Sequence, residues 1–550
     1  MSKIRLLLFA FFLLYGAVIV RLFYLQVLHP ITTTEYLSTR KILPNRGKIY
    51  DRNLQPLVTN QTKYRLFAEP KQVADKEILK IKLARALDVE EASIESKLDM
   101  TKQWVSLYTG ISKEKRDELI SLHLNGIGFD EIPSRFYPEG SSSAHILGFV
   151  GKNQDGDDVG NVGIEGFYDK DLAGLPGLIR SDRDLIDRPI FLGTQEKIEA
   201  ENGRDIVLTV DKTVQEIIKR KLIEGVEKYK AKEGCVIVVQ PFTLEILGLS
   251  CVPDFDQEHY YNYDPSFYID SAISSLYEPG STFKPLIMAA AMEEGLITPD
   301  SKFNEDGPVK VGEYSIRTWN NQYEGNITMT RILEKSSNVG MVYVGQKLGN
   351  KKLLEYIKKY GFGELAGIDL QGEVPGYLKP QSQWYPIDYA TATFGQGLAV
   401  SPIQMIRAFA SVINGGNLMT PHVVKKLIST SSQQEISPQI TSRIIKKEVS
   451  DKIKQMLVST IENGETKYLK PKGYVVGGKT GTAQIALQGR YDASKTIASF
   501  IGFSPIEKPQ FLALVILKEP STSQWGSETA APIFFEIAKE LIVYYNIAPE

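Results

Sequence analysis

Pro279-Gly280-Ser281-Thr282-Phe283-Lys284-Pro285 sets a hydroxyl and an amine three residues apart where a helix begins. Downstream, Leu286-Ile287-Met288-Ala289-Ala290-Ala291-Met292-Glu293-Glu294 is rich in strong helix formers, and Gly295 stands where a C-terminal cap belongs. Pro285 suits a first turn, whose N–H groups have no intrahelical partner. Positions i and i+3 share a helix face, so Ser281 and Lys284 can touch. A serine with a base that close can act as a nucleophile. Taken alone, the same pattern also describes a capping serine beside a solvated lysine, so its meaning rests on two further segments.

The first is Ser336-Ser337-Asn338. A helical pattern leads to it from Thr328 and resumes from Val339 to Leu348, so the triplet falls at a break between helices, where side chains can project into a cleft. The second runs from Tyr474 to Gln484 and reads as a strand with small residues midway, as where a ligand approaches closely. Separately, each has a plain structural explanation, caps at a helix break and a polar edge strand. Gly473 to Thr480 also fits the Gly-x4-Gly-Lys-Thr phosphate loop, which needs a strand before it and a helix after it. Here the sequence on both sides of Lys479 is extended, and the nucleotide-binding reading is set aside.

The chain is 550 residues long, 43% hydrophobic and 24% charged, which fits two or three folded units. A net charge of -2 gives no electrostatic reason for a nucleic-acid partner. His29, His123, His145, His259 and His422 are scattered without ligand spacing, so neither a metal site nor a histidine triad is expected. Cys235 and Cys251 are too few for a disulfide framework and match no zinc motif. They flank a hairpin and could lie roughly opposite one another, but the expectation is buried free thiols.

In chain order, Leu6 to Val20 is apolar and uncharged, and reaches membrane-spanning length if Arg21 snorkels and the helix continues to Leu28. No small-x-small cleavage site follows, so an uncleaved anchor is preferred to a signal peptide. Lys3 and Arg5 put the amino end in the cytoplasm and the bulk outside. A mixed α+β region without a catalytic constellation follows, and a new unit opens near Asn202. Its strands, Cys235 to Gln240, Leu244 to Ser250, Thr496 to Phe503 and Phe511 to Leu517, enclose helices, which suggests one antiparallel sheet built from distant segments. The expected division is 1–29 cytoplasmic tip and anchor, 30–201 pedestal, 202–550 catalytic unit, an α+β multidomain chain.

Ser-x-x-Lys, Ser-x-Asn and Lys-Thr-Gly, in that order on helix, loop and strand, resemble the motif set of penicillin-binding proteins and serine β-lactamases. With the anchor, Arg46-Gly47, Asp51-Arg52, Arg135 with Tyr137-Pro138, Gly163 with Glu165, and Gly395-Gln396-Gly397, nearly the whole chain resembles the class B penicillin-binding proteins. The resemblance implies a dimerisation-like pedestal and a transpeptidase domain of serine β-lactamase/DD-peptidase-like fold, an antiparallel sheet with helices on both sides. It implies a peptidoglycan D,D-transpeptidase that cross-links stem peptides through an acyl-enzyme on Ser281 and is the target of β-lactams. It further implies that Lys284 takes the serine proton, that Ser336 relays a proton to the leaving amine near Lys479, and that Asn338 holds the substrate amide. The N–H groups of Ser281 and Thr482 would form the oxyanion hole, and the hydroxyls of Thr480 and Thr482, flanking Gly481, would grip the terminal carboxylate. No metal or organic cofactor is implied. A SEDS-type glycosyltransferase and divisome proteins are the implied partners, with a division (septal) rather than an elongation role at the inner cell membrane. A β-lactamase would be smaller and would need a hydrolytic base like the class A glutamate, of which no equivalent is identifiable. Intact Ser281, Lys284 and Lys479 speak against an idle division scaffold, and the absence of another signalling domain speaks against a β-lactam sensor. Ser337 stands where the Ser-Asp-Asn form carries its Asp.

Overall fold

Helix α1 (Ser2–Phe23) passes without a break into the π-helical turn Tyr24–Leu28 in a computed structural model of the chain. The apolar helix Lys3–Leu28 has 26 residues, about 39 Å at 1.5 Å each, against a hydrocarbon core of about 30 Å. Arg21 does not interrupt it, and its guanidinium lies 5.5 Å from the Tyr24 ring. The structure describes residues 2–28, 37–154, 156–182, 195–487 and 490–549, so His29, where the sequence division ends the anchor, lies outside the described residues.

The chain divides into two compact units, residues 1–46 with 173–203, and residues 47–172 with 204–550. The first carries α1 and a three-stranded antiparallel sheet in which Gly177–Asp182 lies between Leu37–Ile42 and Gln195–Ile198.

In the second unit, seven strands form a mixed sheet in the order Gln433–Glu435, Val424–Ile428, Asp205–Leu208, Ile49–Tyr50, Pro56–Ala68 and Val105–Ile111, with Ile127–Phe136 also paired to Pro56–Ala68. Strands from both sides of residue 202 thus share one sheet. The motifs of this region act as ties. Arg135 Nε donates to Glu165 Oε1 at 2.7 Å with both side chains buried, and Arg135 Nη1 donates to Asn60 Oδ1 at 2.8 Å. Asp51 Oδ1 accepts from the Asn53 and Gln55 N–H groups, and Arg52 pairs with Glu245 at 3.4 Å.

The remaining elements, in chain order, are α2 (Lys212–Tyr229), β1 (Glu233–Val239), β2 (Ile246–Val252), α3 (Lys284–Glu293), β3 (Lys302–Glu305), β4 (Gly325–Thr328), α4 (Met329–Glu334), α5 (Asn338–Leu348), α6 (Pro402–Ile413), α7 (Lys447–Asn463), β5 (Gly477–Leu487), β6 (Arg490–Ser504), β7 (Phe511–Lys518) and α8 (Ala530–Tyr544). The sheet order is β2-β1-β7-β6-β5, antiparallel throughout. Side chains alternate across it. Val236 and Val238 of β1, with Phe511, Ala513, Val515 and Leu517 of β7, face the core made with α2 and α8. Cys235, Ile237 and Val239, with Leu512, Leu514 and Ile516, face the larger core that contains α3 and α6. With both faces covered, the strands become continuous apolar runs, which is why they are so plain in the sequence. Helix α3, the helix of the opening motif, is buried along its length from Lys284 to Met292.

One expectation is corrected. Cys235 and Cys251 are joined in a disulfide rather than left as free thiols. The hairpin register sets them directly opposite one another, with Cα atoms 4.1 Å apart. The hairpin reading already allowed the two to lie opposite one another, but the spacing of the cysteines does not fix the register, which the β1–β2 pairing supplies.

Candidate active site

Pro279 precedes a 3-10 turn, Gly280–Phe283, that runs directly into α3, and this turn carries Ser281. It lies against the free edge of β5, where the Gly280 Cβ position would be 3.0 Å from Thr482 O. A Cβ on Gly481 would run into Ser499 Oγ and come within 2.9 Å of Thr282 Cγ2. From the other side, the Gly280 N–H donates to Gly395 O at 3.0 Å, and Gly395, at φ +79°, has its Cβ position blocked by the Gly280 backbone. The Gly395-Gln396-Gly397 segment therefore works as a backstop for the serine turn.

Helix α3 ends with the Gly295 N–H on Met292 O at 3.0 Å and the Leu296 N–H on Ala291 O at 3.1 Å, with Gly295 left-handed at φ +69°. Helix α4 ends the same way, the Ser336 N–H on Leu333 O and the Ser337 N–H on Ile332 O, but the left-handed position, φ +55°, is filled by Ser336. A side chain there costs about 1–2 kcal/mol. Ser337 then caps α5, its Oγ accepting from the Gly340 N–H at 2.8 Å.

That junction is where Lys284 points. Its Nζ donates to Ser336 O at 2.6 Å, Ser336 Oγ at 3.2 Å and Asn338 Oδ1 at 2.8 Å. Asn338 Nδ2 in turn donates to Arg317 O at 3.3 Å. Among the described residues, no hydrogen bond joins Lys284 Nζ to Ser281 Oγ. Burial drives the Lys284 amine well below its ordinary range, the positive charge of Lys479 pushes the same way, and Glu465 opposes them. As a neutral amine it donates to the two closer acceptors, Ser336 O and Asn338 Oδ1, and its lone pair is left to take a proton, with the Ser336 hydroxyl at 3.2 Å able to reverse its role and donate.

Lys479 sits on β5, buried, with Nζ 3.1 Å from Thr480 Oγ1 and 3.3 Å from Thr480 O. Burial brings its amine down to about 8, against the pull of Glu465. Ser336, Thr460, Glu465, Lys479 and Thr480 line one recess about the size of a water molecule. Thr482 Oγ1 accepts from the Gly526 N–H at 3.0 Å, which leaves its own hydrogen free to donate. Among the described residues β5 pairs with β6 on one side only, so its other edge can take an extended peptide. The strand runs through Lys479 and Thr480 and on to Leu487, which removes the phosphate-loop reading, because no helix follows.

Sequence reading missed two groups near these residues. Glu465, just past α7, is the carboxylate whose charge acts on both amines, and nothing in its surroundings in the sequence marks it. Trp319 and Trp525 meet edge-to-face at 5.4 Å, Trp319 Nε1 bonded to Lys335 O and Trp525 preceding Gly526. They come from loops more than two hundred residues apart, so only the fold pairs them.

A serine and two buried amines gathered on the open edge of an antiparallel sheet define a serine acyl-transferase of the penicillin-binding fold. Residues 234–539 match the penicillin binding protein transpeptidase domain, and residues 41–208 match the penicillin-binding protein dimerisation domain. The chain is 36% identical over 516 residues to stage V sporulation protein D of Bacillus subtilis, covering 92% of this chain and 79% of that one. It is 26% identical over 525 residues to the peptidoglycan D,D-transpeptidase FtsI of Escherichia coli K12, covering 94% and 86%. A peptidoglycan synthetase structure from Bifidobacterium adolescentis superposes with a TM-score of 0.75 at 27% identity, over 94% of this chain and 98% of that one. The chain belongs to the class B penicillin-binding proteins.

Proposed function

We propose a division of labour within this site for an enzyme that is a peptidoglycan D,D-transpeptidase of the septal type. Ser281 Oγ attacks the carbonyl carbon of the penultimate D-alanine, and its proton passes to the neutral Lys284 amine. The oxyanion is held by the N–H groups of Ser281 and Thr482, a pair for which losing one donor costs about a hundredfold or more. Ser336, its Oγ 3.2 Å from Lys284 Nζ and lining one recess with Lys479, returns the proton to the leaving nitrogen, so the C–N bond breaks and terminal D-alanine departs as a neutral amine. In the second half, an amine of a neighbouring stem peptide attacks the ester and its proton travels back to Ser281 Oγ. Asn338 holds the donor amide, and Thr480 and Thr482, with Gly481 giving the strand its close approach, grip the carboxylate beside cationic Lys479. A β-lactam follows the first half and stops there.

The observation that carries this reading is the buried Lys284 amine shared among Ser336 O, Ser336 Oγ and Asn338 Oδ1. Fluorescent penicillin added to membranes tests it. Wild type gives a covalent band, Ser281→Ala and Lys284→Ala give none, and a band retained by Ser281→Ala overturns the assignment.

The wider setting is part of the same proposal. The organisation is a cytoplasmic tip and anchor, a pedestal and a catalytic unit in the division 1–29, 30–201 and 202–550, in the inner cell membrane with one span and the bulk outside. Lys3 and Arg5 support that orientation. The glycan strands would come from a SEDS-type polymerase among the divisome proteins, and copurification of an elongation polymerase alone would overturn the septal partner.

A further inference from the structure

Ser336 occupies a backbone conformation that a serine does not choose freely, and one carboxylate holds the residues on both sides of it. Glu305, at the end of β3, is fully buried and lies 31 positions before Ser336 in the sequence. Its Oε1 accepts from the Ser337 hydroxyl. Its Oε2 accepts from Lys335 Nζ at 2.7 Å and from the Glu324 N–H at 3.3 Å. Lys335 itself is nearly buried and reaches Gln322 O at 3.3 Å as well. Ser337 passes the restraint on to α5 through the Gly340 N–H.

We propose that Glu305 is a positioning residue for the transpeptidase reaction, its two oxygens clasping Lys335 and Ser337 so that Ser336 is held left-handed with its O and Oγ on the Lys284 amine. The inference rests on the reading that Ser336 and Asn338 serve the reaction. It also accounts for the serine in the middle of the triplet. Where the Ser-Asp-Asn form carries a carboxylate at that position, this chain carries a hydroxyl and brings the carboxylate from a separate strand. Two carboxylates there would repel one another in a buried site. Glu305 touches no reacting atom, so its effect passes entirely through the backbone it holds.

The test measures penicillin acylation by the full-length, membrane-embedded protein, resolved into reversible affinity and acylation rate constant, with melting curves alongside. Glu305→Gln keeps the volume but turns an NH2 group toward donors. Ser337→Asp adds the second carboxylate. Each is expected to lose roughly tenfold to hundredfold in the acylation rate constant, the scale of a small misplacement, with reversible affinity changed less than about twofold. The double variant Glu305→Gln/Ser337→Asp, with one carboxylate again, is expected to acylate at least about tenfold faster than the slower single variant. Wild-type acylation by Glu305→Gln, or a double variant no better than the slower single, overturns the proposal. If Glu305→Gln does not melt cooperatively, Ser337→Ala decides, because it opens one side of the clasp and leaves the Glu305–Lys335 pair. A slowed rate supports the clasp, and an unchanged rate overturns it. Ser336→Ala and Asn338→Ala run in the same assay. Wild-type rates for those two overturn the reading of the site itself, whereas their loss beside a fully active Glu305→Gln overturns the clasp alone.

Discussion

Two lysines share the centre of the site, and their protonation decides what it can do. Lys284 is deprotonated most readily, because burial and the neighbouring cation both disfavour its charge. Lys479, at about 8 instead of the ordinary 10.5, is still a cation at neutral pH. If that cation draws in the substrate carboxylate, acylation falls on the alkaline side with an apparent pKa near 8, and Lys479→Arg moves that limb to much higher pH. A stopped-flow pH series with a penicillin checks this. Stability runs in the opposite direction. The folded-state pKa of Lys479 is below its unfolded one, so the unfolded chain binds more protons between about 8 and 10.5. Stability gained by wild type over Lys479→Met should therefore grow as pH rises through that window, as chemical denaturation at several pH values would record. The cysteines belong to this scale as well. A thiol titration of the unfolded, unreduced protein is expected to find no reactive thiol, and two would contradict the bond. Ser281, Lys284, Ser336 and Lys479 could be singled out in the sequence because each lies within a short local pattern. Glu465 and Glu305 could not, since each acts on residues brought to it only by the fold.

At the level of elements, the site depends on close backbone approaches. Gly395 is the clearest case, left-handed and pressed against the Gly280 backbone. Gly395→Ala forces the serine turn to move, and is expected to lower the thermal midpoint and to slow penicillin acylation together. Acylation at the wild-type rate would show that the backstop is dispensable. The elements themselves were legible wherever composition alone fixes them. The β1–β2 hairpin, β6 and β7 were all readable, since strands covered on both faces become unbroken apolar runs. For short strands such as Ile49–Tyr50 the sequence carries nothing of the partner, Asp205–Leu208, which lies more than 150 residues away. The break between α4 and α5 was visible, but not that Ser336 fills the place a glycine takes at the end of α3.

For the whole molecule, the family markers far from the serine prove to be ties inside the fold. Breaking the buried Arg135–Glu165 pair by Glu165→Gln is expected to cost about 3–5 kcal/mol, because it leaves a buried charge without its partner. The same variant should keep its penicillin acylation rate while its unfolding midpoint drops, a separation that denaturant titration and labelling of one preparation can read. Full-length protein should stay with membranes through alkaline carbonate washing, as a 26-residue apolar helix requires. The order of the three motifs could be followed along the chain, but their convergence belongs to the sheet, which carries Lys479 on its edge beside a serine almost two hundred residues earlier. Peptide mapping by mass spectrometry after benzylpenicillin treatment tests that convergence most directly. One penicilloyl adduct is expected, on the peptide containing Ser281, and it should be absent when Lys479→Ala is treated for the same brief time. An adduct on any other residue, or full modification of Ser281 without Lys479, would contradict it.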